Sequence, residues 1–230
     1  TRPFDSGSAG PRNGGLPTAV SKWPLQVLLW LALACPLLAQ ETEVRACYLT
    51  HVDSQVLDSR ENLAEAMSFL KNHGFNTVYV VVWARGLTLY PSRQMQEEIG
   101  LEQDPRFSGR DPLAEAVELG HQNHLAVVAW FEYGFAESYG EGHSRLGQLH
   151  PDWMCLGEDG KPIRKNGFRW FNSLDPRVQH FMLGLMKEVV AEYAVDGVQG
   201  DDRWPAMPSS GGYQEWLLRQ FGADQRPAPQ

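Results

Sequence analysis

Thr77-Val78-Tyr79-Val80-Val81-Val82-Trp83 is an uncharged run with three consecutive valines, and its reading decides the fold. A run with no polar residue at alternate positions suits a strand covered on both faces, as in a parallel sheet. The segment before it has helical periodicity: Leu63, Ala66, Met67 and Leu70 form one stripe, Ser59 is a candidate N-cap and Gly74 a stop. Working outward, Val44 to Thr50 and Leu125 to Phe131 read as further strands. Asp111-Pro112 and Asp175-Pro176 repeat a cap followed by proline at the first helical position. The second of these helices buries Val178, Phe181, Met182, Leu185 and Val189, and a fourth strand follows at about Val195 to Gln199. Short apolar runs alternating with helical stripes predict an α/β fold with strands in parallel and helices as crossovers.

The rest of the chain is organised around those four units. Residues 1–21 are rich in Gly, Pro and Ser without apolar periodicity and predict an unfolded or upstream extension. Residues 22–39 read as a signal peptide: Lys22 precedes an apolar stretch from Pro24 to Ala39, broken only by Gln26, and Glu41 and Glu43 follow. That stretch is shorter than the roughly 20 residues that a membrane-crossing helix needs, so cleavage and no stable membrane span are expected. The expected location is secreted or periplasmic, with a lipoprotein processed at Cys35 as the alternative. The first methionine is Met67, which points to a start upstream or a non-AUG start at Leu16 or Val20. Residues 43–222 read as the folded part, including a final helix from Gly212 to Phe221, and 223–230 as a disordered tail.

Charge excludes one class of partner. The chain carries −8, and residues 1–39 hold three basic residues and one acidic, so the remainder carries −10. Such a domain is a poor match for the phosphates of nucleic acid. After the leader only Cys47 and Cys155 remain, read as two separate thiols. His143 and His150 lack a third metal ligand, so neither metal nor cofactor is expected. Oligomeric state is not readable from the sequence.

In parallel α/β barrels chemistry sits where strands end. The first strand delivers His51 and Asp53, the second Trp83, Arg85 and Tyr90, the third Trp130, Glu132 and Tyr133, and the fourth Asp201, Asp202 and Arg203. Hydrolysis of a glycosidic bond needs two carboxyl groups, one to protonate the leaving oxygen and one to activate water or attack the anomeric carbon. Aromatic side chains supply flat faces for sugar rings. Glu132, Asp202 and Asp201 are therefore the candidate catalytic residues. The two aspartates are adjacent, so in an extended chain only one faces substrate, and Asp202 is favoured over Asp201. Bland alternatives exist for each: the aspartates as turn or cap residues, Glu132 as the ion-pair partner of Arg85 or Arg203, Trp83 and Trp130 as core. The 43 residues from Glu132 to Leu174 form a connection far longer than usual, a place where function is expected.

Several motifs in order carry a family likeness: Glu43-Val-Arg-Ala-Cys-Tyr-Leu-Thr50, Asn76-Thr-Val-Tyr79, Trp83-Ala-Arg-Gly86, Tyr90-Pro-Ser92, His150-Pro-Asp-Trp153 and Asp196-Gly-Val-Gln-Gly-Asp-Asp202. From Glu43 to Trp204 the chain resembles the glycosyl-hydrolase-like family 10 proteins. The resemblance implies a (β/α)8 TIM barrel, of which about the first half is present here, and a hydrolase acting on a glycan, in some relatives the peptide-free glycan strands of peptidoglycan. It places Trp153 with the substrate-binding aromatics. It also implies that strands five to eight are missing and that this polypeptide is inactive or a fragment of an active enzyme. The competing readings are a non-catalytic carbohydrate-binding barrel and a deacetylase or amidase on the same fold.

Overall fold

The computed structural model describes residues 43–200, 203–204 and 208–221. The leader, Asp201, Asp202 and the tail at 223–230 lie outside the described residues. Four parallel strands form the central sheet: β1 (Ala46–Leu49), β2 (Thr77–Val81), β5 (Ala126–Phe131) and β9 (Gly197–Gly200), side by side in chain order. Parallel strands added in sequence, each after a helix, are the wall of a (β/α) barrel.

The helices are α1 (Arg60–Asn72), α3 (Pro112–Gln122) and α5 (Pro176–Glu192), with a short α2 (Arg93–Ile99) before α3, a one-turn α4 (Arg145–Leu149) and a terminal α6 (Glu215–Phe221). The starts of all three crossover helices follow from local chemistry. Ser59 accepts from the Asn62 amide, Asp111 from Ala114 and Asp175 from Arg177, each satisfying a donor that the first turn leaves without a partner.

Register fixes which side chains share a face. Cys47, Val78 and Val127 lie in one row, and Leu49, Val80, Ala129 and Val198 in another. In β5 the odd positions Val127, Ala129 and Phe131 are fully buried, whereas Ala126, Val128 and Trp130 are half-buried. The odd set faces the helices. A Cβ added at Gly120 of α3 would meet a Val127 methyl, so the absence of a side chain lets helix and strand approach closely. The opposite, inner face carries an aromatic cluster: Tyr48 stacks on Tyr79 at 4.6 Å and meets Trp130 edge-on at 4.7 Å. Gln199 Nε2 donates to the Tyr48 hydroxyl at 2.8 Å, and Tyr48 is 48% exposed.

The two long connections differ from their reading as loops. After β2 the chain turns at once into a hairpin, β3 (Trp83–Ala84) and β4 (Leu87–Thr88), and then into α2. After β5 it builds a three-stranded antiparallel sheet from β6 (Ala136–Tyr139), β7 (Arg164–Lys165) and β8 (Phe168–Trp170), in the order β6-β8-β7. The long connection from Glu132 to Leu174 is thus a small structured layer above one end of the barrel wall. Cys47 and Cys155 form no disulfide with each other, and burial pushes the Cys155 thiol up to about 11. No helix among the described residues is long and apolar enough to cross a membrane.

Candidate active site

The rim at the C-terminal ends of the parallel strands is built from the residues immediately after them. Glu132 continues the inner-face alternation of Val128 and Trp130, and Thr50 continues that of Tyr48. They meet over the end of β2, where Thr50 Oγ1 donates to Glu132 Oε2 at 3.4 Å. Arg203 donates from Nη2 and Nε to the Glu132 carbonyl oxygen, at 2.7 and 3.2 Å, so its charge sits on the backbone of the candidate acid.

Tyr133 lies beside Glu132 and ties two arginines to the rim. Arg85 Nε donates to its hydroxyl at 3.4 Å, and the Arg203 guanidinium lies 5.8 Å from its ring and 4.8 Å from that of Phe168. Phe168 comes from β8 of the inserted sheet and also packs on Tyr139 at 5.0 Å, with Tyr139 mostly exposed. Phe168 and Tyr139 therefore form an aromatic ledge over the buried Tyr133 ring. Phe168 and Tyr139 were missed in the sequence because nothing local says that β8 folds back to β5. Their alternation with Arg169 and Ser138 was the available signal.

The backbone at the rim is bent tightly. Asp53 and Arg85 both adopt positive φ, 50° and 54°, a region that costs an ordinary L-residue roughly 1–2 kcal/mol. Arg85 and Gly86, with φ 73°, are the two central residues of the hairpin between Ala84 and Leu87, as in a type I′ turn. Both Asp53 and Arg85 are exposed. His51 is buried at 7% exposure, edge-on to Phe107, and among the described residues its Nδ1 has no hydrogen-bond partner. Burial, together with the nearby charge of Arg106, lowers its pKa to about 4, so the ring is neutral near pH 7.

Tyr133 is buried at 4% exposure, and three more of the expected substrate-binding aromatics are packed inside. Trp83 is fully buried, with Nε1 donating to the Gly134 carbonyl at 2.9 Å and its ring against Phe181. Tyr90 is fully buried beneath α5, its hydroxyl donating to the Leu185 carbonyl at 3.3 Å and to Glu188 at 3.4 Å. Trp153 packs among His150, Phe171 and Phe181. None of the three offers a face to a sugar, because α5 and the inserted sheet cover them. Trp130 keeps a half-buried face on the inner side of the wall. Glu137, a carboxylate that the sequence did not single out, is fully buried: it accepts from Ser138 Oγ at 2.5 Å and from the Ser144 amide at the start of α4. Its partners make it a fastener of the inserted layer. Among the described residues no three potential metal ligands converge.

The described strands form the wall of a (β/α) barrel whose strand ends carry a carboxylate and two arginines. The chain belongs to the glycosyl hydrolase-like 10 family, whose model matches residues 43–228. It is 29% identical over 216 residues to glycosyl hydrolase DigH of Escherichia coli strain K12, covering 84% of this chain and 45% of that protein. The chain thus spans about half the length of the curated relatives it matches. Among solved structures, its fold is similar to that of a protein from Ruminiclostridium thermocellum, with TM-score 0.56 and 16% identity over 79% of this chain and 93% of that one. A GH20 exo-β-N-acetylglucosaminidase from Vibrio harveyi is similar with TM-score 0.51 and 15% identity, over 78% of this chain and 30% of that one.

Proposed function

We propose that the chain carries the glycan-cleaving rim of an exported glycoside hydrolase acting on a bacterial glycan, with the peptide-free strands of peptidoglycan as the substrate to test first. The observation that carries the reading is Glu132. It follows β5 on the inner-face alternation, its carboxylate accepts from Thr50 of the neighbouring unit, and its carbonyl oxygen accepts from Arg203. In this reading Glu132 exchanges a proton with the glycosidic oxygen or with water, and Asp202 or Asp201 is the second carboxylate that the reaction requires. Asp53, Arg85, Trp130 and Arg203 hold the sugars, Tyr139 and Phe168 supply a stacking surface, and the buried His51 and Tyr133 position the groups around them. Export rests on the charge order and apolar run of residues 22–39.

The test is Glu132→Gln, which keeps the shape and removes the titratable group. Release of reducing ends from the glycan is expected to fall by about 10²–10⁴-fold, the usual contribution of a positioned acid or base, with glycan affinity retained. Both forms are assayed in the intact parent protein that contains these residues: if that parent binds glycans but releases no reducing ends, the rim is a binding surface and the hydrolase reading fails.

A further inference from the structure

Arg85 occupies a position whose backbone calls for a different residue. A two-residue hairpin turn with positive φ at both central positions favours asparagine, aspartate or glycine first and glycine second. Gly86 meets that demand, and a Cβ there would run into Ser144. Arg85 does not meet it: a long side chain stands at φ 54° although hairpin closure gains nothing from it. Strain kept at the edge of a candidate site points to a use for the side chain.

What the side chain touches indicates the use. Arg85 is exposed, Nε donates to the Tyr133 hydroxyl, and the guanidinium makes no ion pair with any described carboxylate. Its remaining Nη hydrogens are oriented by that one contact, in the planar fork that matches a carboxylate bidentately. The Arg203 guanidinium approaches the same tyrosine ring, so two positive charges flank Tyr133. The field of Arg85 also reaches His51 at the end of β1, where it helps to keep the imidazole neutral.

We propose that Arg85 is a specificity-determining residue that pairs with a carboxylate carried by the glycan, so that the rim selects acidic sugar strands over neutral ones. The inference rests on the glycan-binding rim proposed above and adds to it the charge of the substrate and the residue that reads it.

The experiment uses the full chain and one pair of probes: bacterial cell-wall glycan strands freed of peptide, with their carboxylates either free or capped as methylamides. Binding is measured by calorimetry at low and high salt. The unsubstituted protein is expected to bind the free-carboxylate strands about tenfold more tightly at low salt, with the preference shrinking as salt rises. Arg85→Asn should bring the ratio of the two affinities close to one while leaving the melting temperature equal or higher, since asparagine suits the left-handed turn. Arg85→Lys should retain part of the preference as a point charge. A purely structural arginine would show the opposite pattern, lowering the melting temperature and leaving the ratio intact. An unchanged ratio in Arg85→Asn, a ratio of one in the unsubstituted protein, or binding of neither strand overturns the proposal. A protein that shows the charge preference but never releases reducing ends upholds Arg85 and counts only against hydrolysis.

Discussion

The two faces of the central sheet are made by the same strands and have different duties. On the helix side Val127, Ala129 and Phe131 are fully buried, and α3 approaches closely enough that Gly120 touches Val127. On the inner side Tyr48 stacks on Tyr79 and meets Trp130 edge-on, yet Tyr48 remains half exposed. Packing against the helices supplies the stability of the wall. The inner face and its continuation at Thr50 and Glu132 keep accessible polar and aromatic groups at the strand ends. One residue of register separates the two roles, because alternate side chains leave a strand on opposite sides.

Three experiments would break or sharpen that contrast. Phe131→Ala should cost about 3–5 kcal/mol in urea unfolding, as expected for emptying a packed aromatic site. Tyr48→Ala on the inner face should cost about 1 kcal/mol or less, since it loses a half-exposed ring and one exposed hydrogen bond. Equal losses would show that the inner face is as much a core as the outer one. Gly120→Ala should cost about 1–3 kcal/mol by overpacking against the stiff Val127 side chain, despite the better helix propensity of alanine. A gain in stability there would mean that α3 can withdraw from the sheet without penalty.

A further effect, dependent on pH, concerns the rim. The folded-state pKa of His51, about 4, lies below its unfolded value of about 6.5, so protonation favours the unfolded chain. Stability attributable to this group is fully present above about pH 6.5 and is lost progressively as pH falls toward 4. Asp104 and Asp175 are held below the ordinary aspartate range despite their burial, by hydrogen bonds from Arg106 and Arg177 respectively. Their contributions are lost only at lower pH, as it falls through and below that range. Melting temperatures across pH 4–7 should therefore slope less in His51→Gln than in the unsubstituted protein. Identical slopes would show that the ring is solvated and not part of the packed rim.

Much of this architecture was legible in the sequence because it is locally determined. Ser59, Asp111 and Asp175 cap the helices that were expected of them, and the apolar runs around Val80 and Ala129 are the central strands, with ends displaced by one or two residues. Fewer features of the connections could be read. Residues Trp83 to Thr88 look like the end of a strand followed by a loop, yet they form a hairpin. Its one local sign was Gly86 after a short apolar pair, masked by the arginine in the place where asparagine is usual. Glu137 was passed over because its burial depends on Ser144 and on the turn that returns the chain to it.

The sequence by itself determined the alternation of strands and helices, their caps, and the placing of Glu132, Tyr133 and Arg85 just beyond strand ends. Periodicity and capping act over a few residues, and every residue involved is present in the local pattern. Only the tertiary structure decided which strand-end residues face the cleft. Tyr90 and Trp83 are withdrawn by α5, about a hundred residues further along the chain, and Phe168 is brought to the rim by β8. Burial is a property of what packs on top of a residue, and sequence spacing carries no record of that.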